Sequence, residues 1–520
     1  MSQLTEREQW GTKIGLILAV AGNAVGLGNF LRFPVQAAQN GGGAFMIPYF
    51  IFFLILGIPL MWIEWGIGRH GGKYRHGSAP GMFDVIWKNK LAKYFGALGL
   101  FISMVILIYY TYIESWTLGF SIFSIFGLYS NETSATMHSF LKSYQGIGES
   151  THFSSIWPAY ILMLVTFAIN FWILFKGISK GIEKLARIAM PLLFLFAIIL
   201  AIRIITIGTP NPALPENSVA NGFGFIWNPN FSMLGDPKIW LAAAGQIFFT
   251  LSVGMGTIHA YASYLKPHDD IALSGLTTAS TNAFAEVILG ASIAIPVAVA
   301  FFGLSATEKI AQGGAFNLGF VSMPIIFGSN AFPMGEVFGF MWFLLLFFAG
   351  ITSSVAMGQP VVAFLEDEFG MDRKKAVATL AFVVLAAVQF VVFFLQYGFL
   401  DEMDYWAGTF GLVVFALIET ILFMWVFGAD KAWKEMNDGG DFQIPKVFYY
   451  IMKFVTPLIL MVLLAWWFIE SAIPTLLLRN ADPNNIPYIW GARALMVTIA
   501  AGLIYLVKKA WENNRSEELS

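Results

Sequence analysis

About twelve stretches of this chain are apolar over the ~20 residues needed to cross a hydrocarbon core of about 30 Å. No water-soluble fold buries that many. Of the 520 residues, 57% are hydrophobic and 12% are charged, against about a quarter charged in soluble domains. Backbone polar groups inside a bilayer must be satisfied within the segment, so runs of this length are helices. The predicted spans are Lys13–Ala38, Gly43–Arg69, Leu91–Phe126, Pro158–Phe175, Gly181–Ile207, Pro237–Leu265, Leu273–Gly303, Gly335–Asp367, Lys374–Gln396, Asp404–Phe427, Val447–Ser471 and Ile486–Val507. The expected fold is an all-α polytopic membrane protein with twelve transmembrane helices.

Two of these runs are interrupted in the same way. Val25-Gly26-Leu27-Gly28-Asn29 in span one and Val253-Gly254-Met255-Gly256-Thr257 in span six both read Val-Gly-x-Gly-x. Irregular backbone at membrane depth is tolerated only where it is buried in protein or lines a wet cavity. A matched pair of such spans points to the midplane site of a secondary transporter, although glycine in a spanning helix also serves close packing. Breaks in spans one and six divide the chain into two five-span repeats, about 11–207 and 237–427. An odd number of spans per repeat forces opposite orientations, which makes the repeat inverted. Spans eleven and twelve, about 447–507, lie outside it and suit packing or assembly, a homodimer included; residues 1–10 and 508–520 form polar ends.

Orientation follows from Lys and Arg. They crowd the second connection (Arg69 to Lys93), the fourth (Lys176 to Arg187), the eighth (Arg373 to Lys375) and the tenth (Lys431 to Lys446). Such alternate, basic connections are cytoplasmic. Both termini are then cytoplasmic, in a prokaryotic inner membrane. The charges are segregated by side and offer no stripe to nucleic acid. The chain has no cysteine, which removes disulfides and thiolate metal sites, and its polar start lacks a signal-peptide cleavage pattern.

A helix broken at the midplane frees carbonyls at one half-helix end and N–H groups at the other. That polarity suits a cation and a carboxylate together. Oxygen donors without a carboxylate cluster favour a hard monovalent ion, sodium, over calcium or a transition metal. Ala349-Gly350-Ile351-Thr352-Ser353-Ser354 in span eight adds hydroxyls, which in spanning helices also bond back to their own backbone. Asn282 and Glu286 share a face of span seven. Glu286, Glu64, Glu114 and Glu419 each lie within a span, where a carboxyl is costly and marks function unless it is a hydrogen-bonded structural group. From sequence alone the last three have no partner. Arg32 with Asp404, and Arg7 with Asp367, offer opposite charges at the two mouths.

The stretch Gly22-Asn23-Ala24-Val25-Gly26-Leu27-Gly28-Asn29-Phe30-Leu31-Arg32-Phe33-Pro34, followed by Asn40-Gly41-Gly42-Gly43-Ala44-Phe45, closely resembles the signature of neurotransmitter:sodium symporters. Tyr109-Tyr110, Glu114-Ser115-Trp116, Gln246 to Ser252, Phe348 to Ser354 and Asp401 to Thr409 match as well, so the resemblance covers essentially the whole chain. It implies an inverted five-helix repeat with broken helices one and six, and two sodium ions. One sodium would be held by Ala24, Asn29, Thr250 and Asn282 with the substrate carboxylate. The other would be held by Gly22, Val25, Ala349, Thr352 and Ser353. An amino acid's carboxylate would meet the N–H groups near Gly26, Leu27 and Gly28 and the Tyr110 hydroxyl. Its ammonium would meet carbonyls of Ala24, Phe249 and Thr250 and the hydroxyl region of Ser252, with Asn23 also in the substrate site. Ile106, Val25, Ser252, Met255, Ser353 and Met357 would line the side-chain pocket. Tyr110 and Phe249 would form a lid below Arg32 and Asp404; Arg7, Ser263, Tyr264, Gln359 and Asp367 would form the inner gate.

Leucine-carrying bacterial members have a smaller branched residue in place of Ile106, phenylalanine in place of Met255 and isoleucine in place of Met357. Methionine adapts its shape readily, so the expected substrate is a neutral, hydrophobic amino acid without strict leucine selectivity. Glu286 stands where chloride-dependent members have a small hydroxyl residue, and a fixed carboxylate there implies chloride-independent transport with proton movement at Glu286. The expected function is sodium-coupled amino-acid import by alternating access. A proton-coupled carrier or uniporter on the same fold is the rival within transport, and a non-transporting receptor is not separated by sequence. A haem enzyme lacks its histidines, because only His259 falls within a span, and no G-x-x-x-x-G-K-[ST] loop is present to power a pump.

Overall fold

The computed structural model describes residues 8–479 and 481–518, with side chains as far as Asn513. Every regular element among the described residues is helical. Ten helices are long and apolar enough to cross a membrane, and Lys13–Ala24 with Gly28–Gln39 makes an eleventh span bent by 46°. Span six is two short helices, Pro237–Leu251 and Thr257–Ala262. Counting it, the helices reach the twelve spans expected.

Spans two, three, seven and eight are mostly buried, whereas four, five, nine, eleven and twelve are largely exposed. Their outward side chains include Trp172, Ile202, Phe382, Val462 and Val497, an apolar belt that only lipid would solvate. Span three (Ala92–Ile125) packs along span eight (Gly335–Phe369), and span one rests on spans five, seven and eight. The two broken helices are thus enclosed by unbroken ones.

Several boundaries differ from the sequence reading, span eleven for one ending at Leu476 rather than Ser471. Span ten begins at Phe399 rather than Asp404, after Gly398 at φ 73°. This puts Asp401 and Glu402 in a first turn, where acidic groups suit the N-terminal end of the helix dipole, and Arg493 Nε of span twelve fixes Glu402 at 2.6 Å. Span twelve runs Ile486–Glu518, beyond Val507. The extension is anchored where Trp511 Nε1 donates to Asp84 Oδ2 at 2.9 Å.

The break in span six is built from Ser252, Gly254 and Gly256 at φ 53°, 77° and 76°. A side chain at Gly254 would be strained by that φ, and its Cβ would lie 2.3 Å from the carbonyl oxygen of Leu412. Glycine is therefore required there. In span one the requirement at Gly26 is space, since a Cβ would stand 3.0 Å from Ser353 Oγ and 3.2 Å from Tyr110 Oη.

Candidate functional site

In span one the last regular bond runs from Val25 N–H to Ala21 O at 2.7 Å. The next donors turn to side chains: Gly26 N–H to Asn29 Oδ1 at 2.9 Å and Leu27 N–H to Tyr110 Oη at 3.2 Å. The two breaks are tied together where Ser252 Oγ donates to Asn23 O at 3.0 Å and Asn23 Nδ2 to Thr257 Oγ1 at 3.0 Å. Between them lies a narrow cavity, and Asn23, Ala24, Gly26, Gly28, Ile106, Tyr110, Phe249, Ser252, Met255, Ser353 and Met357 all line it. Three expected pocket residues do not. Val25 is fully buried in the core, Leu27 takes part through its N–H, and Thr250 faces a polar cluster beside the cavity.

In that cluster Asn29 Nδ2 donates to Thr250 Oγ1 at 3.2 Å and to Asn282 Oδ1 at 2.8 Å, and Asn282 Nδ2 donates to Thr250 Oγ1 at 2.9 Å. The end of the Asn282 amide that meets Asn29 also lies 3.0 Å from Ala24 O and 3.2 Å from Thr250 O. Nitrogen at that end donates to both carbonyls, and the amide oxygen then accepts from Thr250 Oγ1 at 2.9 Å. With oxygen there, three oxygens repel; with nitrogen there, it opposes the Asn29 amide nitrogen. A cation among Ala24 O, Thr250 O and the Asn282 amide oxygen would relieve that repulsion, whereas Asn29 turns its amide nitrogen to the cluster and spends its oxygen on the Gly26 N–H. Gly22, Ala349, Thr352 and Ser353 of the second predicted group also come together: Ser353 Oγ donates toward Asn23 O at 3.1 Å and Ala349 O at 3.1 Å, and Gly22 O lies 3.4 Å away. Thr352 bonds back to Phe348 O at 2.9 Å, while a Cβ on Gly22 would stand 3.1 Å from its own Cβ.

Glu286 is fully buried four residues beyond Asn282. Tyr49 donates to one of its oxygens and Gln246 Nε2 to the other, each at 2.5 Å. This holds a carboxyl rigidly beside the Asn282 cluster. Glu114 Oε2 accepts from Asn170 Nδ2 at 2.9 Å, and Ser354 Oγ donates to Asn170 Oδ1 at 2.9 Å, so it belongs to a structural network joining spans three, four and eight. Glu64 Oε1 accepts from Gly254 N–H at 2.5 Å, and Ser103 Oγ donates to Met255 O at 2.5 Å. These two side chains satisfy backbone groups of the second break, which would otherwise cost ~1–3 kcal/mol each.

At one end of the cavity the Phe249 ring closes over Gly28, whose Cβ would lie 2.6 Å from it. The Arg32 guanidinium lies over that ring at 4.3 Å, and Asp404 Oδ1 accepts from Tyr109 Oη at 2.6 Å. Arg32 and Asp404, the expected outer-gate charges, meet other groups here: Tyr109 holds the carboxylate and the Phe249 face holds the guanidinium. At the other end Gln359 Nε2 donates to Tyr264 Oη at 2.9 Å, and Arg373 donates to Gln359 Oε1 at 2.8 Å. Trp10 Nε1 pins the segment before span one to Tyr261 O at 3.0 Å. Ser263 Oγ bonds to Ala260 O of its own helix at 2.7 Å. Asp367 lies in the last turn of span eight on this side; Arg7, its predicted partner, lies outside the described residues.

The model of the Sodium:neurotransmitter symporter family matches residues 7–130 and 125–508. The chain belongs to that family. The symporter is 32% identical over 459 residues to an uncharacterized sodium-dependent transporter of Methanocaldococcus jannaschii, covering 88% of this chain and 89% of the relative. It is 25% identical over 587 residues to the sodium-dependent neutral amino acid transporter B(0)AT1 of Mus musculus, covering 95% and 88%. The crystal structure of MhsT in complex with L-phenylalanine superposes with a TM-score of 0.75 at 28% identity, over 88% of this chain and 99% of MhsT. The symporter is therefore a sodium-dependent, multi-pass membrane transporter and not an enzyme.

Sequence reasoning missed the groups that hold the symporter's site in place. Tyr49, Ser103, Asn170 and Arg373 act through contacts distant in sequence and lie in no recognisable local pattern, and Gln246, although within the matched stretch Gln246 to Ser252, meets Glu286 on another span. One signal was available: a buried carboxyl needs donors, and Gln246, four residues before Thr250, was the nearest amide in a broken span.

Proposed function

We propose that the symporter imports neutral, hydrophobic amino acids together with two sodium ions, without chloride. The observation that carries this is the convergence of Ala24 O, Thr250 O and the Asn282 amide beside a cavity that also receives the Leu27 N–H and Tyr110 hydroxyl. A sodium ion among those oxygens and a carboxylate at that N–H would neutralise each other in a low dielectric. Neither then binds well alone, which is the basis of coupling. Gly22, Val25, Ala349, Thr352 and Ser353 take the second ion, supported by the mutual approach of spans one and eight. Each charge carried inward gains about 2.3 kcal/mol per 100 mV, so two ions drive steep accumulation.

The ammonium is met by carbonyls of Ala24, Phe249 and Thr250 beside Ser252, and the side chain by Ile106, Met255 and Met357. Two methionines give a wall that reshapes, and the phenylalanine bound by MhsT supports admitting an aromatic as well as an aliphatic side chain. Glu286 supplies the negative charge that makes an anion unnecessary. Phe249 with Arg32, Tyr109 and Asp404 forms the outer lid, and Gln359, Tyr264 and Arg373 form the inner one, with both termini cytoplasmic. Competition of twenty amino acids against a bound radiolabelled one, in sodium and then in potassium, tests the reading. Sodium-dependent displacement by leucine, methionine and phenylalanine but not by aspartate or lysine is expected; displacement indifferent to side chain or to sodium would overturn it.

A further inference from the structure

Three ionisable side chains deep in the protein take no part in the transport steps above. Glu64 on span two, His259 on the second helix of span six and Glu419 on span ten have no exposed surface. One ligand atom from each lies within 4.8 Å of the others, and His259 Nε2 is 3.4 Å from Glu419 Oε2. Glu64 spends one oxygen on Gly254 N–H. Its other oxygen, both imidazole nitrogens and both Glu419 oxygens lack a well-formed hydrogen bond. Unpaired buried charge costs several kcal/mol per ion, and two carboxylates side by side cost more. The cluster must therefore take up positive charge.

No side chain packed around it supplies that charge. The Phe83 and Phe415 rings wall the imidazole at 6.3 and 5.9 Å. On span two, Arg69, His70 and Lys73 all face Glu435. On span eight, Glu366 pairs with Arg373 and Glu368 with His76, near Asp367. Asp84 and Lys93 meet Trp511, Glu114 meets Asn170, and Lys13 is exposed at the start of span one. Among the described residues, Glu64 and Glu419 are the ionisable groups that face His259. A divalent cation would balance two carboxylates, but it must shed its water to enter a site with no exposed edge; a proton needs no room, and three ligand atoms within 4.8 Å of one another can share it.

We propose that Glu64, His259 and Glu419 form a proton-binding site that sets the geometry of the span-six break and, through it, sodium affinity. The route is short: Glu64 holds Gly254, which lies between Ser252, tied to the span-one carbonyl of Asn23, and Met255, which lines the cavity. Loss of a proton strengthens the Glu64 acceptor and adds negative charge near the break, and both favour a cation there. Gain of a proton does the reverse. The inference rests on the reading of the breaks as the sodium site.

The test is binding of ²²Na⁺ to the purified full-length protein without amino acid, at about pH 6, 7 and 8. One fully linked proton changes Kd about tenfold per pH unit, and the wild type is expected to bind about threefold or more tighter per unit as pH rises. His259→Gln should at least halve that slope, and Glu419→Gln should do the same, which keeps the test open if one variant fails to fold. Unchanged slopes in both variants would overturn the proposal alone, as would a stoichiometric divalent metal in elemental analysis. Absence of sodium binding at every pH would overturn the sodium-site reading and the proposal with it.

Discussion

Replacing Tyr110 by phenylalanine probes the carboxylate end of the site by removing one oxygen. That oxygen accepts the Leu27 N–H at 3.2 Å, and its side chain lines the cavity. In the proposed bound state the hydroxyl donates to the substrate carboxylate, a charged hydrogen bond worth ~1.5–3 kcal/mol. Part of the loss is offset, because in the variant Leu27 N–H is unpartnered before binding and gains the carboxylate as acceptor, recovering about 1 kcal/mol. The net cost of ~0.5–2 kcal/mol is a weakening of about 2- to 30-fold, at 1.4 kcal/mol per decade. Sodium-dependent scintillation-proximity binding of the radiolabelled amino acid measures it, with ²²Na⁺ binding in its absence as the control, expected to stay within about threefold. Unchanged amino-acid affinity, or a fall in sodium affinity of the same size, would refute this placement of the carboxylate.

Other substitutions test other parts of the site. Glu286→Ser removes the carboxyl held by Tyr49 and Gln246, and uptake in this variant should require external chloride; uptake equal in chloride and gluconate would count against its role as an anion substitute. Met255→Phe combined with Met357→Ile stiffens the pocket wall, and competition should shift toward leucine over phenylalanine by about tenfold, the scale of one misfitted side chain. Outside the membrane, burial raises the Glu435 carboxyl's pKa, but His70, Lys73 and Arg69 outweigh it and bring it from 4.5 to about 2. A group depressed on folding adds stability above its unfolded value, and that stability is lost as pH falls through the folded one. Glu435→Gln should thus lower Tm at pH 6, with the gap to wild type closing between about pH 4.5 and 2; a gap constant across that window would exclude the ionic contribution.

Much of the architecture is legible in sequence because membrane depth allows few alternatives. Span ends such as Gly43 and Gly335 fall where the apolar runs begin, and the doubled Val-Gly-x-Gly-x motif marks both breaks. What the sequence hides is the set of contacts between distant segments. Glu64, Glu114 and Glu419 had no visible partner because Gly254, Asn170 and His259 lie on other spans. The same holds for Arg32 and Asp404: charge suggests that they meet, but nothing local reveals that Tyr109 bonds the carboxylate and Phe249 receives the guanidinium. The start of span ten was placed late because an acidic patch reads as interface, although the first turn of a helix favours acidic residues.

The most direct measurement of the central claim is uptake of radiolabelled leucine, methionine and phenylalanine into proteoliposomes, with an inward sodium gradient and with potassium in its place. Accumulation above the external concentration with sodium, abolished by dissipating the gradient, is the predicted result. Uptake of none of the three, or uptake equal in potassium, would contradict sodium-coupled amino-acid symport.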